Sequence, residues 1–115
     1  MSKRSVTSYK LFNAEAVTKA GTVTSSAIDI RRSAQDGLFS IEYTTTAGSL
    51  TFSYTVCSTR GGTYFTPTNG GSIASAITVG SGGLSFEVET YPFIKIVATE
   101  ANVAATALTL ILNVA

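Results

Sequence analysis

The chain has 115 residues, no histidine, a single cysteine and a formal net charge of +1. One hydrophobic core serves up to about 150 residues, so this length indicates a single domain, and one cysteine excludes an internal disulfide. Only 13% of the residues are charged, roughly half the usual share, which predicts wide surfaces of Ser, Thr, Gly and Ala that a partner protein can cover at little desolvation cost.

The N-terminal residues 1–13, MSKRSVTSYKLFN, begin with basic side chains but have no apolar stretch behind them. No secretory signal is therefore predicted, and we expect an extended arm or a first strand here, with residues 14–115 forming one domain. An extended arm of this length reaches about 40 Å, far enough to contact a neighbouring subunit. The arm supplies candidate partner contacts at Lys3, Arg4, Tyr9, Lys10 and Phe12.

Residues 13–21, NAEAVTKAG, are the single helical candidate, with helix-forming side chains and a closing Gly21 but no wide apolar stripe. Residues 22–30, TVTSSAIDI, favour a weak strand.

The periodicity of the next two segments is two, the period of a half-buried strand. Residues 38–46 place Phe39, Ile41 and Tyr43 on one face, and residues 50–57 alternate Leu50, Phe52, Tyr54 and Val56 with polar positions. Between them lies a short glycine-containing segment, TTAGS, which predicts an antiparallel hairpin.

The C-terminal third continues the alternation. Residues 80–83, GSGG, predict a turn, and the following LSFEVET predicts a strand. Pro92 has no N–H to donate, so it is expected at the start of the next strand, with Ile94, Ile96 and Ala98 inward and Lys95 outward. The closing residues 106–114 place Leu108, Leu110, Leu112 and Val114 inward; this segment is too short to span a bilayer. About seven or eight short strands predict an all-β, antiparallel two-sheet sandwich or jelly roll.

Between two of these strands lies the glycine- and aromatic-rich stretch at residues 58–71, STRGGTYFTPTNGG. One interpretation is that Tyr64 or Phe65 folds back over the end of the sandwich as a plug. The other is that Arg60, Tyr64 and Phe65 stand at a loop tip and contact a partner protein or stack on a sugar.

Catalytic and cofactor chemistry have little support in the sequence. The chain lacks the histidine of the common nucleophile pairs, and one cysteine cannot build a zinc site. Glu87 and Glu89 form the one close carboxylate pair, which we interpret as a soluble sheet face. The GSGG segment precedes a strand where a phosphate cradle needs a helix, and Arg31 and Arg32 at a strand end make at most a small basic patch. We expect no enzyme, no metal, no cofactor, and neither nucleic acid nor a membrane as partner.

The order FSIEYTTTAGSLTFSYTVCSTRGGTYFTP, then a small-residue stretch, then LSFEVETYPFIKIVATE and a closing apolar strand resembles small β-sandwich structural proteins of tailed bacteriophages. The resemblance covers roughly residues 38–114 and consists of strands and turns. It implies a virion component, made in the host cytoplasm and placed on the capsid surface as a decoration or cement protein. Its implied partners are the major capsid protein and further copies of itself, with a trimer favoured.

Three alternatives stay open beside this one. The chain is either a tail- or fibre-associated adaptor with carbohydrate-binding capacity, although it lacks the tryptophan usual in such sites, or a neutral domain that is simply poor in charge. An enzyme starting from Glu87 is the least favoured.

Overall fold

The computed structural model describes residues 6–34, 36–68, 70–88 and 91–115. Nine strands and no helix are found in these ranges. The strands are β1 (Thr7–Val17), β2 (Thr22–Thr24), β3 (Ile28–Asp29), β4 (Phe39–Thr45), β5 (Leu50–Cys57), β6 (Ser72–Ile77), β7 (Gly80–Phe86), β8 (Phe93–Glu100) and β9 (Thr106–Val114).

The strands form two antiparallel sheets. Sheet A has the order β1-β9-β4-β7, and sheet B has the order β2-β8-β5-β6, with β3 pairing β8 beside β2. The predicted all-β, two-sheet sandwich is confirmed, with nine strands in place of seven or eight.

The core lies between the sheets and consists of the predicted alternating side chains. Leu108, Leu110, Leu112 and Val114 of β9 are fully buried, because β9 lies in the middle of sheet A with a strand on each side. Their counterparts from sheet B include Leu50, Phe52, Tyr54, Val56, Ile94, Ile96 and Ala98, as the alternation predicted. Burial of each such large apolar side chain stabilises the fold by about 1.5–3 kcal/mol.

The predicted hairpin between β4 and β5 is wrong, because the two strands belong to opposite sheets. Their connection crosses the sandwich and is held by side chains from both sheets. Thr106 Oγ1 on β9 accepts hydrogen bonds from the amides of Thr46 and Ala47, both at 3.1 Å. Glu100 Oε2 on β8 accepts one from Ser49, also at 3.1 Å. These acceptors replace the backbone pairing that a hairpin would have supplied.

The predicted turn at residues 80–83 is also wrong, since Gly80–Gly83 are the first half of β7 and pair with β4 in continuous register. The tyrosine ring of β4 explains why glycine is compatible with a strand here. A Cβ on Gly82 would lie 2.5 Å from Tyr43 Oη, so the ring packs directly on the glycine backbone.

The helical candidate at residues 13–21 is wrong as well. Its first half continues β1, and the chain then turns, with the Gly21 amide donating to Thr18 O at 2.8 Å. β1 pairs β9 from Thr7 to Val17 with two register shifts. Residues 7–13 of the expected arm therefore lie in this edge strand, and residues 1–5 lie outside the described residues.

Glu100 is a buried carboxylate that joins three connections at one end of the sandwich. It is 2% exposed and accepts hydrogen bonds from the amides of Ala20, Ser49 and Val103 at 2.9–3.1 Å. Burial by itself raises the pKa of Glu100, but these amides and that of Ala104 outweigh burial and lower the pKa to about 2. The ionised carboxylate is therefore part of the fold.

Candidate functional site

The structure separates the candidate partner residues into two groups. Lys3 and Arg4 lie outside the described residues. On β1, Phe12 is 5% exposed and packs in the core, so its side chain offers no surface for contact. Tyr9 is half-buried and donates from its hydroxyl to Ser33 Oγ at 3.0 Å. Lys10 is exposed at the edge of sheet A.

The second group, Arg60, Tyr64 and Phe65, comes together because the loop after β5 folds back on sheet B. Phe65 forms a backbone bridge with Val56, with N···O distances of 2.9 and 3.1 Å in the two directions. The Tyr64 hydroxyl donates to Arg60 O at 2.8 Å, which closes the loop on itself. These hydrogen bonds hold the loop in a defined conformation against the edge of β5.

The outer face of sheet B supplies the other half of the site. Phe93 and Lys95 are the outward residues at the start of β8, where Phe93 pairs in register with Cys57. The Arg31 and Arg60 guanidinium carbons lie 5.2 and 5.3 Å from the centroid of the Phe93 ring. The Lys95 ammonium lies 4.3 Å from the centroid of the Tyr64 ring. We call the set Asp29, Arg31, Arg60, Tyr64, Phe93 and Lys95 the cation–aromatic surface.

The two rings position the cations of this surface. Phe93 points outward yet is only 6% exposed, since the two guanidinium groups cover it. Each cation–π contact at an exposed site contributes about 0.5–1 kcal/mol. The cations are therefore held near fixed places, which lowers the conformational entropy lost when they bind a partner.

Charge at the surface is only partly compensated. Arg31 donates to both oxygens of Asp29, at 2.9 and 2.6 Å, and these hydrogen bonds lower the pKa of Asp29 to about 2. Neither Arg60 nor Lys95 forms an ion pair with any residue that the structure describes. Arg60 instead donates to the backbone oxygen of Ala27 at 3.3 Å. The surface therefore has two cations available for carboxylates of a partner.

Two further aromatic rings extend this surface. Phe65 is 44% exposed and meets Tyr91 edge to face, with ring centroids 5.3 Å apart.

Cys57 lies beneath the loop and is 7% exposed. Hydrogen bonding from the Thr59 backbone amide lowers the pKa of its thiol, while burial acts in the opposite direction.

Sequence reasoning finds the loop residues but misses their partners on the sheet. It places Arg31 at a strand end as part of a small basic patch, and it assigns neither Phe93 nor Lys95 to a site. One signal is present in the sequence: Phe93 has the same parity as Lys95 on β8 and thus faces outward. An outward aromatic in a sheet this polar indicates that something covers it.

The structure describes one member of the carboxylate pair noted in the sequence. Glu87 is exposed, and Glu89 lies outside the described residues. In the described ranges no three His, Cys, Asp or Glu side chains are grouped as metal ligands would be. The same ranges contain no helix with the length and apolar character of a membrane span.

Comparisons with known proteins give no family. No protein-family model and no curated protein matches the chain. One similar solved structure comes from work on Bacillus endospore appendages, described as a novel family of disulfide-linked pili. That match has 13% identity and a TM-score of 0.46, and it covers 97% of this chain and 88% of that one.

A second similar structure is that of infectious bursal disease virus Gx strain, with 12% identity and a TM-score of 0.46. The match covers 96% of this chain and 32% of that one, so this chain spans about a third of the viral chain. Both scores lie below 0.5, and neither likeness assigns a function. The fold and site by themselves define a class: an all-β sandwich, poor in charge, with a preformed cation–aromatic surface.

Proposed function

We propose that this chain is a non-enzymatic structural protein of a virion, a capsid decoration protein that stabilises the head by bridging capsid subunits. The observation that carries the proposal is the cation–aromatic surface, where Arg60 and Lys95 are held over aromatic rings and have no described ion-pair partner. Arginine and tyrosine are the residue types that dominate binding energy in protein interfaces.

The rest of the molecular surface supports this role. The outward positions of β4, β7 and β9 in sheet A are mostly small and uncharged: Ser40, Thr44, Ser81, Gly83, Ser85, Thr109 and Asn113, with Glu42 and Ile111 as exceptions. Covering hydroxyl groups costs less solvation free energy than covering ions. A protein that works by adding contact area needs surfaces of this kind.

The partner that fits the cation–aromatic surface is a segment of the major capsid protein that carries carboxylates. A carboxylate bound by Arg60 would form charge-assisted hydrogen bonds, which are roughly twice as strong as neutral ones. The alternative of sugar stacking is less favoured, because Lys95 already lies over the Tyr64 ring and the Arg60 carbonyl accepts from its hydroxyl.

Co-sedimentation tests the proposal. The chain is mixed with heads assembled from the major capsid protein of the same genome, and bound protein is quantified against concentration. We expect saturable binding that Arg60→Ala weakens by about 10-fold, a loss of about 1.4 kcal/mol that exceeds the cost of truncating most interface residues.

The matched control is Lys19→Ala. Lys19 is an exposed cation that lies away from the cation–aromatic surface. Its neighbour Ala20 donates to Glu100, and Glu100 is at the opposite end of β8 from Phe93. If heads ignore the wild-type chain, the decoration function is refuted. If Lys19→Ala weakens binding as much as Arg60→Ala, the cation–aromatic surface is not the docking site.

A further inference from the structure

The four edges of the two sheets differ in how well they are protected against pairing with another strand. An exposed edge presents unpaired N–H and C=O groups, and natural proteins block such edges with bulges, charges or short strands. β1, at one edge of sheet A, has register shifts on both sides of Phe12, a positive φ at Ala14, and charged side chains at Lys10 and Glu15. This edge is blocked.

Both edges of sheet B are blocked as well. On one side β2 and β3 are three and two residues long, too short to template a new strand. On the other side β6 has register shifts against β5 and a positive φ at Ala76. A straight partner strand cannot follow either edge.

β7, at the second edge of sheet A, has only one of these features, a positive φ of 129° at its first residue, Gly80. Its seven residues, Gly80–Phe86, pair with β4 without a register shift. The strand contains no proline, and no charged residue occurs between Gly61 and Phe86. Such an edge is open to a further strand.

The sequence of β7, GSGGLSF, is complementary to its own reverse. When two copies run antiparallel about Gly83, the inward residues pair large against small: Phe86 faces Gly80 of the other copy, and Leu84 faces Gly82. The outward residues pair Ser81 with Ser85. Every close contact is thus small against large or small against small, without any like-charge pair.

We propose that β7 strands from two copies of this chain pair antiparallel about a twofold axis through Gly83, joining their A sheets into one eight-stranded sheet. The added ladder supplies about six backbone hydrogen bonds. It also covers Leu84 and Phe86, which are only half-buried at the open edge. This surface needs no capsid, so the proposal goes beyond the decoration function, and it replaces the trimer implied by the phage resemblance with a dimer.

Charge placed on the outward positions of β7 tests both the edge and the register. Ser81 and Ser85 are exposed in a single copy, so lysines there leave the fold intact. In the dimer of the double variant S81K/S85K, the lysine introduced at position 81 faces the lysine introduced at position 85 of the other copy. Like charges directly opposite are destabilising. In S81K/S85E each introduced lysine faces an introduced glutamate instead.

The readout is molar mass by light scattering after size-exclusion chromatography, with melting curves to verify the fold. We expect wild type and S81K/S85E to be dimers and S81K/S85K to be a folded monomer. A wild-type monomer or trimer overturns the proposal. A dimer that persists in S81K/S85K would show that β7 is not the paired edge. A monomeric S81K/S85E would show that the proposed register is wrong.

Cross-linking gives a second measurement independent of charge. In a Cys57→Ser background, Gly83→Cys places two thiols at the twofold axis, and oxidation should yield a covalent dimer. Lys10→Cys on the blocked β1 edge is the control and should give no covalent dimer. A covalent dimer of the Lys10→Cys variant, without one of the Gly83→Cys variant, would place the interface at β1 instead. Capsid binding by S81K/S85K, measured separately, distinguishes failure of this proposal from failure of the decoration function.

Discussion

Replacement of Glu100 by glutamine tests how the buried carboxylate stabilises the fold. The carboxylate of Glu100 accepts hydrogen bonds from Ala20, Ser49 and Val103, so one side chain fastens three connections. Glutamine keeps the shape but has one oxygen, and its NH2 group must face amides that are themselves donors. At neutral pH the variant should melt at a lower temperature than wild type, because a buried donor loses its acceptor.

The pH dependence has a defined sign and size. The pKa of Glu100 falls from an ordinary 4.5 to about 2 in the folded chain. Its contribution to stability is complete above pH 4.5 and is lost as the pH falls towards 2. At pH 3 the unfolded carboxyl is almost fully protonated and the folded one almost fully ionised, so unfolding takes up about 0.9 proton at this site.

Urea unfolding followed by circular dichroism from pH 2 to pH 7 measures this uptake as the slope of the free energy of unfolding against pH. Glu100→Gln should flatten the slope between pH 4.5 and 2. Asp29→Asn is the comparison: the pKa of Asp29 is also lowered to about 2, but in a surface ion pair with Arg31 where solvent screens the charges, so the slope should change less than in Glu100→Gln. Parallel curves for wild type and Glu100→Gln, or a larger change in Asp29→Asn, would refute the reasoning.

Three substitutions test the packing by urea denaturation. Leu110→Ala removes a fully buried side chain and should cost about 2–5 kcal/mol; a loss under about 1 kcal/mol would contradict the assigned core. Gly48 has a φ of 76°, and a Cβ there would lie 2.6 Å from Ala104 O, so Gly48→Ala combines backbone strain with a clash. Gly37 has a φ of 67° and open space around it, so Gly37→Ala should lower the free energy of unfolding by only about 1 kcal/mol. Gly48→Ala should lower it by more, and equal losses in the two variants would show that the clash at Gly48 is relieved.

The strands that sequence reasoning locates best are those whose two faces differ most. Along most of β9 and β8 every second side chain is apolar and buried, so a period of two identifies the inward set, including Leu110 and Ile96. Pro92 marks the start of β8 because it has no N–H for the ladder. These are local signals, readable from a few neighbouring residues.

The pairing of strands depends on contacts that are distant in sequence. A short connection with Gly48 fits a hairpin and a crossing between sheets equally well. The choice is made by Thr106 and Glu100, which lie more than fifty residues further on and bind its amides. For the same reason GSGG has the composition of a turn, yet Tyr43 packing on Gly82 makes it a strand.

The candidate site is predictable to the extent that its residues lie in one unusual segment. Arg60 and Tyr64 are found because arginine and aromatic side chains in a glycine-rich loop are typical of binding surfaces. Phe93 and Lys95 are missed because they join the site only when the loop folds back along β5 onto the outer face of sheet B. No short sequence pattern predicts this contact between the loop and the outer face of sheet B.

The proposed role of the chain is to bind a viral shell through the cation–aromatic surface. A cryo-EM reconstruction of heads decorated with the chain tests it most directly. We expect the face with Arg60, Tyr64 and Lys95 to lie against the capsid protein, with acidic side chains opposite the two cations. Heads without density for the chain, or a chain docked with this face towards solvent, would contradict it.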